Sequence, residues 1–151
     1  MRHVASEMLD LFPGSIPDAG QVEIKLLNSL VTLDGIVRDL PARSQSLTRL
    51  MAAYARVGDR GSWAQARLDW IRVQIDLGRL DGLELALEEL EAIGIGEGWG
   101  SFHAASTRQK GRLEARKGNN SLAREAFRLA IQLARQVRDD VEAGRAEVVL
   151  G

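Results

Sequence analysis

Residues 110–139, KGRLEARKGNNSLAREAFRLAIQLARQVRD, contain the pattern that decides the fold. Gly111 lies in one helical run and Gly118 ends it, because glycine adopts the left-handed conformation without Cβ strain. Ala123 and Phe127 then recur at helical spacing in a second run. Small residues let two helices approach closely, and Phe127 can fill the gap between them. The stretch therefore predicts a helical hairpin, and its apolar face needs neighbouring hairpins for burial.

Copies of this hairpin recur at a spacing of forty residues. Gly78 and Gly118 occupy the same place between two helical runs, and Leu47, Leu87 and Phe127 align at that spacing. The pattern predicts an all-α chain of one domain, a stacked array in which each hairpin buries its apolar face on the next. Its predicted parts are an N-terminal helix and turn over 1–20, repeats over about 23–60, 63–100 and 103–140, and a partial fourth repeat over 141–151.

Within these repeats, apolar residues at every third or fourth position predict the helices. The predicted helices cover residues 2–12, 22–40, 42–57, 62–77, 80–93, 101–117, 121–138 and 141–150. We interpret Ser62 and Asn119 as N-caps, and Pro41 suits the first turn of a helix. The glycines of GIGEGWG, residues 94–100, are typical of a flexible break between repeats.

The composition narrows the classes of function. The chain has no cysteine and only two isolated histidines, His3 and His103, so we predict no catalytic, cofactor or metal site. The net charge of −1 does not favour direct binding of nucleic acid. No apolar run approaches the ~18 residues of a membrane span, and the start, MRHVASEMLDLF, lacks a signal-peptide core. We therefore expect a cytoplasmic protein without a membrane partner.

The third repeat resembles the tetratricopeptide repeat family at the family's small, turn-glycine, Ala, Phe and Ala positions. These residues are Gly111, Gly118, Ala123, Phe127 and Ala130. The pair Leu150-Gly151 resembles the family's Leu-Gly pair at the start of a fourth repeat. A forty-residue repeat is similar to those in the sensor arms of large bacterial transcription regulators, including the maltose-regulator type. The resemblance implies an α-solenoid, a right-handed superhelix of antiparallel helix hairpins that serves as a non-catalytic scaffold for protein binding.

The resemblance also implies a concave groove lined by the first helix of each hairpin. By register, polar and charged side chains of this chain face that groove. The residues are Asn28, Gln65, Asp69, Arg72, Arg108, Arg112 and Arg116. Arginine forks suit carboxylates, so we expect an acidic protein or peptide segment, or a C-terminal carboxylate, to bind there. The alternative is a solvated arginine face that neighbouring acids neutralise.

Three functions stay open at this point. The first is the interaction module just described, and the second is a sensor or oligomerisation segment of a bacterial transcription regulator, of which this chain would be a fragment. The third is an all-α enzyme that uses Asp69 or Asp76, which the isolated histidines and missing cysteines argue against. Self-association through residues 141–151 is a further hypothesis, because an unpaired helix there would expose Val148, Val149 and Leu150.

Overall fold

The computed structural model describes residues 19–138 and 140–150, which form helices and short connections without any strand. Seven helices follow one another in these residues. They are α1 (Ala19–Ile36), α2 (Leu40–Val57), α3 (Arg60–Leu77), α4 (Leu83–Glu97), α5 (Gly100–Arg116), α6 (Asn120–Gln136) and α7 (Asp140–Leu150). The prediction of an all-α chain is confirmed for this part of the sequence. The helix predicted over 2–12 lies outside the described residues, as do the side chains of Val148, Val149 and Leu150.

One turn recurs at the ends of α1 to α6, and its central residue has a positive φ every twenty residues along the chain. These residues are Arg38, Gly58, Gly78, Gly98, Gly118 and Arg138. Each N–H in this set donates to the carbonyl three residues earlier, as Gly118 does to Ala115 at 3.1 Å. Where the next residue is described, its N–H donates to the carbonyl five residues earlier, as Asn119 does to Glu114 at 2.9 Å. This pair of hydrogen bonds is the Schellman motif. It satisfies the last carbonyls of a helix and reverses the chain direction.

Aspartates begin two of the helices that follow these turns. Asp39 accepts a hydrogen bond from the Ala42 N–H, and Asp59 accepts one from the Ser62 N–H, both at 3.1 Å. The prediction of Ser62 as an N-cap is therefore wrong, since the Asp59 carboxylate satisfies the orphan N–H of α3. Asn119 takes the N-cap position of α6 as predicted, but its side chain makes no capping bond.

The break predicted over residues 94–100 is present but shorter, since only Gly98 and Trp99 lie outside helices. Helix α4 continues to Glu97, and Gly94 is buried within it. A Cβ at Gly94 would lie 3.1 Å from Cδ1 of Phe102, so the missing side chain lets α5 approach α4 closely. The predicted start of this helix is also early, because α4 begins at Leu83 after a turn.

The chain groups into two compact units, and the boundary lies inside α3 between Val73 and Gln74. In the first unit, α1 packs on α2 around buried leucines such as Leu27 and Leu47. In the second unit, α5 packs against both α4 and α6, and α6 packs against α7. Alanines permit close approach there, since Ala104 of α5, Ala134 of α6 and Ala143 of α7 form one buried cluster.

The contact predicted between Gly111 and Phe127 is confirmed. A Cβ at Gly111 would lie 2.7 Å from Cε1 and 2.8 Å from Cδ1 of Phe127, so the ring occupies the space that any side chain would need. Phe127 is buried, and this pair sets how closely α5 and α6 approach each other.

We expect Gly111→Ala to lower the free energy of unfolding by about 1–3 kcal/mol, because the added methyl group must displace a packed ring. Gly96→Ala is the matched control, since Gly96 also lies inside a helix but has open space around its Cβ position. That change should raise stability by about 0.5–1 kcal/mol. Urea unfolding followed by circular dichroism measures both, and a neutral Gly111→Ala variant would contradict the packing described.

Candidate binding site

The seven residues predicted to line a groove are divided between the two units. Asn28, Gln65, Asp69 and Arg72 belong to the first unit, whereas Arg108, Arg112 and Arg116 belong to the second. The three arginines follow one another at intervals of four on α5, so they share one side of that helix.

Two of these arginines make ion pairs with carboxylates on other helices of the second unit. Arg112 donates to Asp76, near the end of α3, and also to the Gln109 side chain at 2.8 Å. Arg108 donates from Nε to Glu142 of α7. The Arg108 side chain is 12 % exposed and that of Glu142 is 6 % exposed, so this pair is largely removed from water. The ion pairs therefore connect α5 with α3 on one side and with α7 on the other.

Two further arginines border these ion pairs. Arg116 is exposed, and its Nη2 would lie 3.1 Å from a Cβ at Gly78, which places it against the turn after α3. Nη1 of the exposed Arg145 lies 3.6 Å from Oε2 of Glu142. We call this surface the arginine face. It consists of Arg108, Arg112, Arg116 and Arg145 together with Asp76 and Glu142. Its four guanidinium groups exceed its two carboxylates, so it keeps a positive charge after all internal pairing.

The structure also groups three of the predicted residues of the first unit. Asp69 accepts a hydrogen bond from Nε2 of Gln65 at 3.3 Å and lies 3.7 Å from Nη2 of Arg72. Asn28 instead donates to the Tyr54 hydroxyl of α2 at 3.0 Å. Gln65, Asp69 and Arg72 thus form one polar group on α3, and Asn28 belongs to a contact between α1 and α2.

Asp69 has an altered acidity. Burial raises the pKa of its carboxyl group above the usual 3.8, although Arg72, Gln65 and Arg43 favour the charged form. A raised pKa is frequent at catalytic carboxylates. These three neighbours are two arginines and a glutamine, and none is a histidine or a second carboxylate. The arrangement is that of a polar network around a partly buried carboxylate.

Some of these contacts were not foreseen from the sequence. The ion pairs of Arg112 and Arg108 span 36 and 34 residues, whereas the repeat was aligned at a spacing of forty. The side chains that form these ion pairs are therefore not at equivalent positions of the forty-residue register. Acidic side chains do pair with two of the arginines, as the alternative interpretation expected. Glu142 pairs with Arg108, and Asp76 pairs with Arg112.

No group of three His, Cys, Asp or Glu side chains in residues 19–138 and 140–150 is placed to hold a metal ion. None of the helices described above combines the length and the apolar character needed to cross a bilayer.

The raised pKa of Asp69 makes the free energy of unfolding depend on pH. The folded state holds the Asp69 proton more tightly than the unfolded chain does, so the free energy of unfolding should rise as pH falls through the raised pKa towards 3.8. The Asp69→Asn variant lacks this pH-dependent contribution to the free energy of unfolding. We expect the wild type to gain stability relative to this variant over that range, as measured by urea unfolding at a series of pH values.

Asp59 is the control for this measurement, because its shift has the opposite sign. Hydrogen bonds from the Ser62 side chain and backbone N–H lower the pKa of Asp59 below 3.8. Its stabilising contribution is present above pH 3.8 and is lost as pH falls through the lowered value. The wild type should therefore lose stability relative to Asp59→Asn at low pH. If the free energy of unfolding changed with pH equally in the Asp69→Asn and Asp59→Asn variants, the environments described for both aspartates would be wrong.

No family model, no curated protein and no solved structure matches this chain.

Proposed function

We propose that this chain is a tetratricopeptide-like array of helical hairpins that binds an acidic segment of a protein partner, without catalysis, on the arginine face. The observation that carries this proposal is the excess of guanidinium groups over carboxylates on one surface of the second unit. A ligand with carboxylates would complete the neutralisation that Asp76 and Glu142 begin, and planar arginine forks bind carboxylates with two parallel hydrogen bonds.

Two structural features support the array. The same turn ends successive helices at intervals of twenty residues, which is what a chain of equal hairpins requires. The ion pairs of α5 reach α3 and α7, which are the first helices of the preceding and following hairpins in the proposed array. First helices that lie side by side are the arrangement that forms a continuous binding surface in stacked helical repeats.

The arginines of this surface would have different roles. Arg108 is mostly buried with Glu142 and would hold α5 against α7. Arg112 and Arg116 are the accessible donors, since Arg112 keeps part of its side chain in water and Arg116 is exposed. An incoming carboxylate would bind Arg116 and compete with Asp76 for Arg112. This exchange costs little, because ion pairs accessible to solvent contribute only about 0.2–1 kcal/mol.

Taken by itself, the first unit offers Gln65, Asp69 and Arg72 as a second place for partner binding. These side chains offer an amide, a carboxylate and a guanidinium group within one polar group on α3. They suit polar parts of a bound segment, with Asn28 in a supporting role. Their mixed charge makes them weaker sites for a carboxylate than Arg112 and Arg116.

The test uses a fluorescein-labelled peptide of alternating glutamate and glycine with a free C-terminal carboxylate. We expect Arg112→Ala combined with Arg116→Ala to weaken its binding about tenfold at low salt, equivalent to about 1.4 kcal/mol. Asp76→Ala should instead strengthen binding about threefold, since it frees the Arg112 guanidinium group. Fluorescence anisotropy measures all three proteins, and added salt should weaken the wild-type complex.

The matched control is Arg124→Ala combined with Arg128→Ala. These arginines are exposed on α6 and are also spaced by four, so the charge change is the same but the surface differs. We expect this control to bind the peptide nearly as tightly as the wild type. Equal weakening by both double variants would mean that the peptide senses only total charge, and the arginine face would then have no special role.

A further inference from the structure

A trench runs along the side of α5 that faces away from the arginine face. Its floor is formed by His103, Thr107, Lys110 and Glu114. At 100° per residue these positions point roughly opposite to Arg108, Arg112 and Arg116. Two cavities of about 260 and 150 Å³ both border Lys110 and Glu114, so they adjoin along this side of α5. From His103 to Glu114 it is about 16 Å long, or three helical turns.

One wall of the trench is acidic. It is built by α4, where Glu84, Glu88 and Glu91 lie at intervals of four and three and therefore form one stripe. Glu84 is paired with Lys117, the residue after α5. Among the described residues, Glu88 and Glu91 have neither an ion pair nor a hydrogen bond from a side chain. Five carboxylates line the trench when Glu114 and Glu125 are included.

The other wall is mainly apolar, although Glu125 also lies on it. It is built by α6, where Leu122, Ala126 and Leu129 lie along one stripe. Leu122 is 52 % exposed and Leu129 is 46 % exposed, although both border a concave surface. The two leucines are seven residues apart, or about 10 Å along the helix axis. This spacing equals the seven-residue repeat of apolar side chains on an amphipathic helix.

We propose that this trench binds a basic amphipathic helix of a partner protein. The apolar side of that helix would pack against Leu122, Ala126 and Leu129, and its lysines or arginines would pair with Glu88 and Glu91. The choice of occupant rests on charge complementarity, because an acidic wall opposite an apolar wall matches the two sides of such a helix. The surface is separate from the arginine face, so this proposal stands or falls independently of the proposed function.

The charge of Lys110 would lower the affinity of the trench for a basic helix. The Lys110 side chain is exposed and lines both cavities together with Glu114 and carboxylates of the acidic wall. In the free protein it offsets part of the negative charge of the trench, and it would repel a basic ligand. Removing its charge should therefore strengthen the binding of a basic helix, which is the opposite of what removing a wall carboxylate should do.

The test uses an 18-residue synthetic peptide with leucines along one helical stripe and lysines elsewhere, together with a permuted peptide of the same composition. Fluorescence anisotropy should detect micromolar binding of the amphipathic peptide and at least tenfold weaker binding of the permuted one. Leu122→Ser combined with Leu129→Ser should weaken binding about tenfold, and so should Glu88→Gln combined with Glu91→Gln. Lys110→Gln should strengthen it about threefold.

Two control variants complete the experiment. Leu85→Ser changes a leucine that is 63 % exposed on another side of α4, and Asp81→Asn removes a charge from the loop before α4. Both should leave binding unchanged. Equal binding of the two peptides, or equal weakening by the controls, would overturn the proposal. If the leucine variant fails to fold by circular dichroism, the Glu88 and Lys110 variants still decide the outcome through their opposite effects.

A second copy of this chain is the competing occupant. Sedimentation velocity of the wild type without peptide distinguishes the two. We expect a monomer whose mass is unchanged by Glu88→Gln combined with Glu91→Gln. A dimer that this variant converts to a monomer would assign the trench to self-association and overturn the proposal.

Discussion

The buried ion pair between Arg108 and Glu142 is the interaction on which the arrangement of the second unit depends. It joins α5 to α7, two helices that are separated in sequence by the whole of α6. A charge this far from water requires its partner, since removing one member of a buried pair costs about 3–5 kcal/mol. The pair thus fixes which side of α5 faces α7. It leaves the opposite side, with Lys110 and Glu114, for the trench.

Helix α5 consequently separates two surfaces of opposite charge. The arginine face has more guanidinium groups than carboxylates, and the trench has more carboxylates than amines. Helical periodicity alone produces this division, because residues spaced by four stay on one side while those two positions away lie on the other. A chain with a net charge of −1 therefore carries one surface with excess positive charge and one with excess negative charge. The net charge of the chain does not reveal these two surfaces, whereas the distribution of charge around α5 does.

Much of the fold could be predicted from the sequence, because apolar spacing of three and four identifies each helix, and Gly111 and Phe127 identify one packing contact. The break predicted over 94–100 was too long, because Gly94, which permits close helix packing, looks the same in sequence as Gly98, which ends the helix. The regular turn was visible only in part, since Arg38 and Arg138 adopt a conformation that sequence patterns assign to glycine. The ion pairs were missed because a forty-residue alignment pairs equivalent positions, whereas Arg112 and Arg108 pair with residues 36 and 34 positions away.

A double-mutant cycle on Arg108 and Glu142 tests the central claim most directly. The proteins are Arg108→Met, Glu142→Gln, their combination and the wild type, each unfolded in urea. If α5 and α7 lie side by side as described, the two changes should be coupled by about 1–3 kcal/mol, because each single variant leaves a buried charge or polar group without its partner. A coupling energy indistinguishable from zero would mean that these helices do not meet. The proposed array and its arginine face would then be wrong.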